Sequence, residues 1–214
     1  MKKNILILFA SLGLLFHSTS LQAISISLGS PSTHSLGGFV YDEVEGLYEK
    51  QSYGNAVDKP SGYFLGVLST YDIGFGIDRY TTKFKTGTCK GCWASRYNAA
   101  LKTKMTNIFY LLPIRALNII VGIGTGTTEY DCTVCSTYYE KGSATQWYTS
   151  FGMSIISSLE IHLSYRSVTA KNIKNKYTDK KDDNSGSVTG IGLSFNFSGG
   201  DDEEYDDEEY EDEE

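Results

Sequence analysis

Four cysteines are the residues of this chain with the clearest chemical potential, because they fall in two identical motifs. Cys89 and Cys92 form one C-x2-C pair, and Cys132 and Cys135 form the other. Four thiolates can together hold a zinc ion, a single pair can be redox-active, and an oxidising compartment joins cysteines in disulfides. The choice among these chemistries depends on where the chain resides.

A second group of reactive side chains occupies every other position of one segment: Glu160, His162, Ser164 and Arg166. Residues two apart on a β-strand project from the same face, so these side chains are neighbours. Charged groups on a buried face need partners, which predicts an interior network of Glu160, His162 and Arg166. A histidine beside a serine can also act as base and nucleophile, so His162 and Ser164 form the alternative, catalytic interpretation.

The start of the chain indicates export. Lys2 and Lys3 precede an apolar run over residues 5–16, and Leu21-Gln22-Ala23 offers a cleavage site. This order predicts a secretory signal peptide over residues 1–23, and the apolar run is short for a membrane-spanning helix. Because an exported chain meets an oxidising periplasm, the sequence favours two disulfides, with three connectivities open, over a zinc site at the four cysteines.

The rest of the chain is organised in short segments where large apolar residues alternate with small or polar ones. In Val188–Phe197 the apolar side ends in Phe195 and Phe197, and the other side is glycine, serine and asparagine. Such period-2 alternation is typical of β-strands with two different faces. The predicted strands are Ile24–Gly29, Gly62–Thr70, Ile73–Phe84, Met105–Leu112, Leu117–Thr127, Trp147–Ile155, Leu159–Arg166 and Val188–Phe197.

The connections between these eight segments alternate in length. The turns at Tyr71-Asp72, Pro113 and Ser157-Ser158 are short, whereas polar loops fill residues 31–60, 85–104, 131–143 and 170–186. An antiparallel barrel with short turns at one rim and long loops at the other predicts this alternation. The sequence therefore predicts an all-β, eight-stranded antiparallel transmembrane β-barrel over residues 24–197. His34, in the first long loop, is expected to be solvated.

Residues 24–197 resemble the small eight-stranded outer-membrane barrels of Gram-negative bacteria. That group includes the membrane domain of outer membrane protein A, outer membrane protein X and its relatives, and the opacity-type adhesins. Gly192, Phe195 and Phe197 match the assembly signal of these barrels, which has an upstream glycine and a terminal aromatic residue. The resemblance implies insertion by the barrel-assembly machinery, with loops outside the cell and both termini in the periplasm.

The resemblance does not select one function, since such barrels include adhesins, structural anchors and a few enzymes. We expect a non-enzymatic protein that acts in surface interaction or envelope structure through its loops, with Trp93, Arg96 and Tyr97 as candidate ligand contacts. Lysines of the fourth loop are candidates for contact with lipopolysaccharide phosphates: Lys171, Lys174, Lys176, Lys180 and Lys181. Neither a cofactor nor nucleic-acid binding is expected.

Two alternative functions remain open at this point, and a soluble periplasmic β-protein remains open as the alternative to a membrane barrel. His162-Leu163-Ser164 resembles the base and nucleophile of outer-membrane lipid A deacylases, although Tyr165 stands where those enzymes have asparagine. A small ion-conducting, porin-like barrel is the other alternative.

The formal net charge of -7 is concentrated at the end of the chain. Residues 201–214 are acidic apart from Tyr205 and Tyr210, so the part ahead of them is mildly basic. Runs of like charge stay unfolded, which predicts a disordered acidic tail over residues 198–214. Contact with a basic periplasmic partner or with divalent cations is its alternative role.

Overall fold

The computed structural model describes residues 24–44, 47–52, 57–85, 99–114 and 118–197. The predicted signal peptide and acidic tail lie outside these residues, as do Cys89, Cys92, Trp93, Arg96 and Tyr97. Within the described ranges, no helix is both long and apolar enough to cross a membrane.

In chain order the described residues form β1 (Ile24–Leu36), β2 (Phe39–Val44), β3 (Leu47–Ser52), β4 (Ser61–Leu68), β5 (Ile73–Lys83), β6 (Ala100–Leu111), β7 (Asn118–Asp131), α1 (Cys135–Tyr138), β8 (Gly142–Ile156), β9 (Leu159–Thr169), β10 (Ile173–Lys174), β11 (Lys181–Asp182) and β12 (Gly186–Phe197). Eight of these strands close into an antiparallel barrel in the order β1-β12-β9-β8-β7-β6-β5-β4. The prediction of an eight-stranded antiparallel barrel is therefore confirmed. Closure gives every barrel strand two neighbours, so the sheet has no edge strand.

The barrel wall has an apolar outside and a polar inside. On β12, Ile191 and Phe197 are 47% and 56% exposed, whereas Ser194 between them is 6% exposed. Outward apolar side chains form a continuous surface, the apolar belt: Leu28, Val67, Phe75, Ile108, Ile123, Phe151, Met153, Leu163, Ile191, Leu193 and Phe195. An apolar surface of this extent is rare on a soluble monomer and is typical of a wall solvated by lipid.

Aromatic side chains lie at both borders of the apolar belt. The rings of Trp147 and Tyr165 are 5.6 Å apart on neighbouring strands β8 and β9. Tyr71 and Phe197, 73% and 56% exposed, lie at the opposite border. Aromatic girdles of this kind are found where lipid-facing barrels meet water.

The two rims of the barrel differ. At the short-turn rim the chain passes directly from β4 to β5, from β6 to β7 and from β8 to β9, and both ends of the barrel, Ile24 and Phe197, are also there. At the long-loop rim, connections leave β1, β5, β7 and β9.

Several strands continue further toward the long-loop rim than the sequence pattern predicts. β1 continues to Leu36, β6 begins at Ala100 and β8 begins at Gly142. Hydropathy alternation ends earlier because outward positions near this rim are polar or charged, as at Lys102 on β6. The wall therefore rises beyond the apolar belt.

The prediction of an unstructured loop over residues 31–60 is wrong, because these residues contain the end of β1 and the β2–β3 hairpin. The fourth loop likewise contains the paired strands β10 and β11. Apolar residues from these connections and from the strand ends beside them form one buried cluster, the cap core: Leu36, Val40, Val57, Phe84, Ala99, Leu101, Tyr130, Cys135 and Ile173. The long loops thus build a packed body, the cap, on the long-loop rim. Sequence pattern misses it because its apolar residues are scattered singly among polar ones.

Candidate functional site

A buried ion pair spans the barrel lumen. Arg166 Nε on β9 lies 2.9 Å from Asp78 Oδ2 on β5, and these strands are on opposite sides of the closed sheet. Gln146 Nε2 donates hydrogen bonds to Asp78 Oδ2 and to Asn107 Oδ1, both at 2.6 Å. The guanidinium carbon of Arg166 is 3.4 Å from the centroid of the Phe64 ring. These side chains together form the plug.

Apolar layers fill the lumen between the plug and the cap. Phe64, Tyr80 and Val188 form one buried cluster. A second cluster is made of Met105, Ala144, Val168 and Ala170. Val168 and Ala170 follow Arg166 along β9 toward the long-loop rim, so this cluster lies above the plug. The upper half of the described lumen is therefore packed with side chains.

Below the plug the lumen is roomier and polar. A cavity of about 320 Å³ faces the short-turn rim, and its polar lining includes Ser27, Ser69, Asn118, Ser150, Glu160, His162, Ser194 and Asn196. A smaller cavity of about 40 Å³ lies against Asp78 and Arg166. This smaller cavity accommodates about one water molecule. This lower part of the lumen, the vestibule, ends at the plug and opens toward the short-turn rim.

The structure brings Glu160 and His162 into the vestibule but does not join them to Arg166. Glu160 Oε1 accepts hydrogen bonds from Asn118 and Asn196. His162 Nδ1 lies 3.4 Å from Ser150 Oγ. The three residues of the predicted interior network therefore have three separate sets of partners, because Arg166 pairs with Asp78. Sequence reasoning missed Asp78, although it is an acidic residue at an inward position among the glycines of β5.

Ser164 is held by groups other than His162. Its hydroxyl accepts a hydrogen bond from Arg166 Nη1 at 2.6 Å and donates to the Gly190 carbonyl at 3.4 Å. A serine nucleophile needs a neighbouring base that can remove its proton, and an arginine cannot do so. The hydroxyl within hydrogen-bond distance of His162 Nδ1 is that of Ser150, at 3.4 Å.

The second cysteine pair is oxidised. Cys132 and Cys135 form a disulfide at the start of α1, and Cys135 is 1% exposed within the cap core. Zinc binds thiolates, which a disulfide does not supply. Because Cys89 and Cys92 lie outside the described residues, a second disulfide stays a prediction.

Basic and aromatic side chains meet on the surface of the cap. Lys50 Nζ is 4.4 Å from the centroid of the Phe39 ring, and Lys180 Nζ is 5.3 Å from that of Tyr41. A hydrogen bond between Lys174 and Asp179, at 2.6 Å, raises the pKa of the lysine and lowers the pKa of the carboxyl group. Fourth-loop lysines are therefore held in place on the cap by neighbours.

His34 is not solvated in a loop, and that prediction is wrong. It lies on β1, with Nδ1 2.7 Å from Thr82 Oγ1 and its ring edge-on to Tyr80 at 5.8 Å. The strand continues past Pro31 through a bulge, which sequence pattern did not indicate.

The residues of the predicted assembly signal lie on opposite faces of the barrel wall. Phe195 and Phe197 point outward and are 39% and 56% exposed. Gly192 faces the vestibule, where an added Cβ would lie 2.5 Å from His162 Nε2. The glycine is thus required by packing, and its role in assembly stays a prediction.

Solved structures share this architecture at low sequence identity. Neisserial surface protein A (NspA) superposes with a TM-score of 0.52 at 12% identity, covering 83% of this chain and 98% of that protein. The outer membrane protein AlkL, determined in lipid bilayers, also gives a TM-score of 0.52 at 12% identity, covering 86% of this chain and 95% of AlkL. The chain has the fold of the small eight-stranded outer-membrane barrels. No protein-family model and no curated protein matches its sequence.

Proposed function

We propose that this chain is an integral outer-membrane protein that acts without catalysis, in surface interaction or envelope structure, through its cap. The observation that carries the proposal is a filled barrel beneath a packed cap. The plug and two apolar clusters occupy the lumen, while the long loops share one core. A preorganised surface loses less conformational entropy on binding than separate flexible loops do.

The apolar belt supports placement in the outer membrane. Most outward side chains between the aromatic borders are apolar, and lipid stabilises such a surface where water does not. In this placement the cap is extracellular, the vestibule opens to the periplasm, and the acidic tail is periplasmic. The barrel-assembly machinery inserts the chain, with Gly192, Phe195 and Phe197 as its signal, and lipopolysaccharide surrounds the outer half.

The cap surface offers the ligand-binding groups. Lys50 and Lys180 lie beside the rings of Phe39 and Tyr41, which combines positive charge with aromatic faces. Tyr138 and Tyr177, 45% and 70% exposed, form a second aromatic pair with centroids 5.3 Å apart. Tyrosine is among the residue types enriched in binding hot spots.

Placement and orientation can be tested in a diderm host that expresses the full chain. Isolated outer membranes should contain a band whose gel mobility changes on boiling. An epitope inserted beside Asp179, in the cap, should be labelled by antibody on intact cells, and one inserted at Tyr71-Asp72 only after permeabilisation. A soluble protein with unshifted mobility, or labelling of the turn alone on intact cells, would refute the proposed placement.

Function is tested with the same cells. Cells carrying the chain should adhere to cultured epithelial cells, or resist detergent, better than cells carrying a cap variant with Lys50→Gln, Lys180→Gln and Tyr41→Ala. A variant with Lys59→Gln and Tyr71→Ala, two exposed residues outside this surface, is the control. Equal adherence and equal detergent resistance with and without the chain would refute both proposed roles.

A further inference from the structure

One side of the barrel wall carries a basic surface immediately beyond the apolar belt. On β5–β8 the outward positions that follow Ile108 and Ile123 toward the long-loop rim become polar and then charged. This surface, the basic wall, consists of Arg79, Lys83, Lys102, Lys104 and Lys141, with Glu129 and Asp131 among them.

Positive charge on the basic wall is only partly neutralised. Lys102 pairs with Asp131 at 2.8 Å, while Lys104 and Lys141 share Glu129 at 3.6 and 2.8 Å. Two carboxylates therefore face five bases, which leaves an excess of positive charge. Within the described residues, neither Arg79 nor Lys83 has an ion-pair partner.

The strand register places two of these bases against each other. Arg79 on β5 is directly opposite Lys104 on β6. Like charges at opposed positions of an antiparallel pair destabilise it. Arg79 Nη1 donates to the carbonyl oxygens of Asp78 and Met105, at 2.8 and 2.9 Å, which fixes the guanidinium against the wall. Among the described residues, its Nε and Nη2 have no hydrogen-bond acceptor.

The opposite side of the barrel is different at this height. Outward residues of β12, β1 and β4 near the long-loop rim carry hydroxyl groups: Ser30, Thr33, Ser35, Ser61, Ser187 and Thr189. Thr33 and Thr189 join their hydroxyls at 2.7 Å across β1 and β12. A wall that merely needs solvation would not confine its bases to one side, so the asymmetry indicates a partner on that side.

We propose that the basic wall binds a phosphate group of a phosphorylated glycolipid in the outer leaflet, between Arg79 and Lys104. The inference rests on the proposed outer-membrane placement, which puts these bases where lipid headgroups meet the belt. The free donors of the guanidinium suit two phosphate oxygens at once, and the ammonium of Lys104 adds a point charge. Bound phosphate removes the repulsion between the two bases.

Binding is measured with the full chain folded in phosphatidylcholine vesicles that contain bisphosphorylated lipid A. Lipid A with its phosphates removed is the comparison lipid. The amount of bisphosphorylated lipid A that the chain retains should fall about tenfold or more in the variant Arg79→Gln with Lys104→Gln. Each base near a membrane surface contributes to the attraction of anionic lipid. The control variant, Thr33→Ala with Thr189→Ala on the opposite side of the barrel wall, should retain lipid A within twofold of the unaltered chain.

A variant that should strengthen lipid binding separates a binding role from a purely structural role. Glu129→Gln frees Lys104 and Lys141 from their shared carboxylate, so it should tighten retention of the bisphosphorylated lipid. Equal binding of the dephosphorylated lipid, or unchanged retention in the Arg79 and Lys104 double variant, would overturn the inference. Each variant is first checked for the boiling shift in outer membranes. A chain that fails to insert refutes the proposed placement, whereas an inserted chain without phosphate dependence refutes only this inference.

Discussion

The ion pair that spans the lumen should contribute strongly to the stability of the barrel. Asp78 and Arg166 are 1% and 5% exposed, with Nε and Oδ2 2.9 Å apart. Asp78→Asn keeps the size of the side chain and one oxygen acceptor but leaves the guanidinium without its counter-charge. Removal of one member of a buried pair costs about 3–5 kcal/mol, so we expect the free energy of unfolding to fall by about that amount.

Urea titration of the chain in lipid vesicles measures this loss. In a Trp93→Phe background, the fluorescence of Trp147, which is 53% exposed on the belt, reports unfolding. Asp131→Asn is the matched control, because its pair with Lys102 is exposed and should contribute less than about 1 kcal/mol.

A double-mutant cycle with Arg166→Gln tests whether the effect comes from the pair itself. The double variant buries no uncompensated charge, so its loss should be smaller than the sum of the two single losses. A loss below about 1 kcal/mol for Asp78→Asn, or losses that simply add, would refute the reasoning.

Further predictions concern the lumen, the vestibule and the cap. Planar bilayers containing the protein should show no conductance steps, and Asp78→Asn should not introduce them, because the apolar clusters above the plug remain; steps in either protein would contradict the packed lumen. His162→Ala and Ser164→Ala should leave the acylation of lipid A in host membranes unchanged by mass spectrometry, and a change with either variant would revive the deacylase alternative. Gly192→Ala should slow folding into vesicles, since its Cβ would meet the backbone oxygen of Leu28 and lie 2.5 Å from the His162 ring, and His162→Ala should restore the rate only in part; a rate unaffected by Gly192→Ala would count against both contacts. Cys135→Ser should make the cap sensitive to trypsin while the boiling shift persists, and an equally resistant cap would show that the disulfide does not stabilise it.

The barrel could be predicted because its signal is repeated in every strand. Residues such as Ile191, Leu193 and Phe195 alternate with small or polar ones, and period-2 alternation survives any arrangement of the loops. The ends of the strands could not be predicted in this way. Lys102 and Lys104 face outward where no lipid is expected, so hydropathy no longer separates the two faces of β6.

The ion-pair partners of the inward-facing charged residues were harder to predict than the face of the strand on which those residues lie. Arg166 and Glu160 face the same lumen from one strand, which predicts that they share a network, yet the narrow lumen brings Asp78 to Arg166 from the opposite strand. Contacts across a barrel depend on register and stagger, which no single segment specifies. The cap could not be predicted for the same reason, because Leu36, Tyr130 and Ile173 of its core come from distant parts of the chain.

The shared core of the cap limits how this surface can diversify. Loops that fold separately can be exchanged one at a time, whereas here a length change in one connection disturbs the packing of the others. Tyr130 on β7 illustrates the dependence, because its hydroxyl lies within hydrogen-bond distance of Asp182 Oδ2 and Asn184 Oδ1 in the fourth connection. A surface that keeps this packing would therefore change by replacement of exposed side chains such as Lys50 or Tyr177, and a hybrid barrel that receives one foreign loop should lose the native surface of the whole cap.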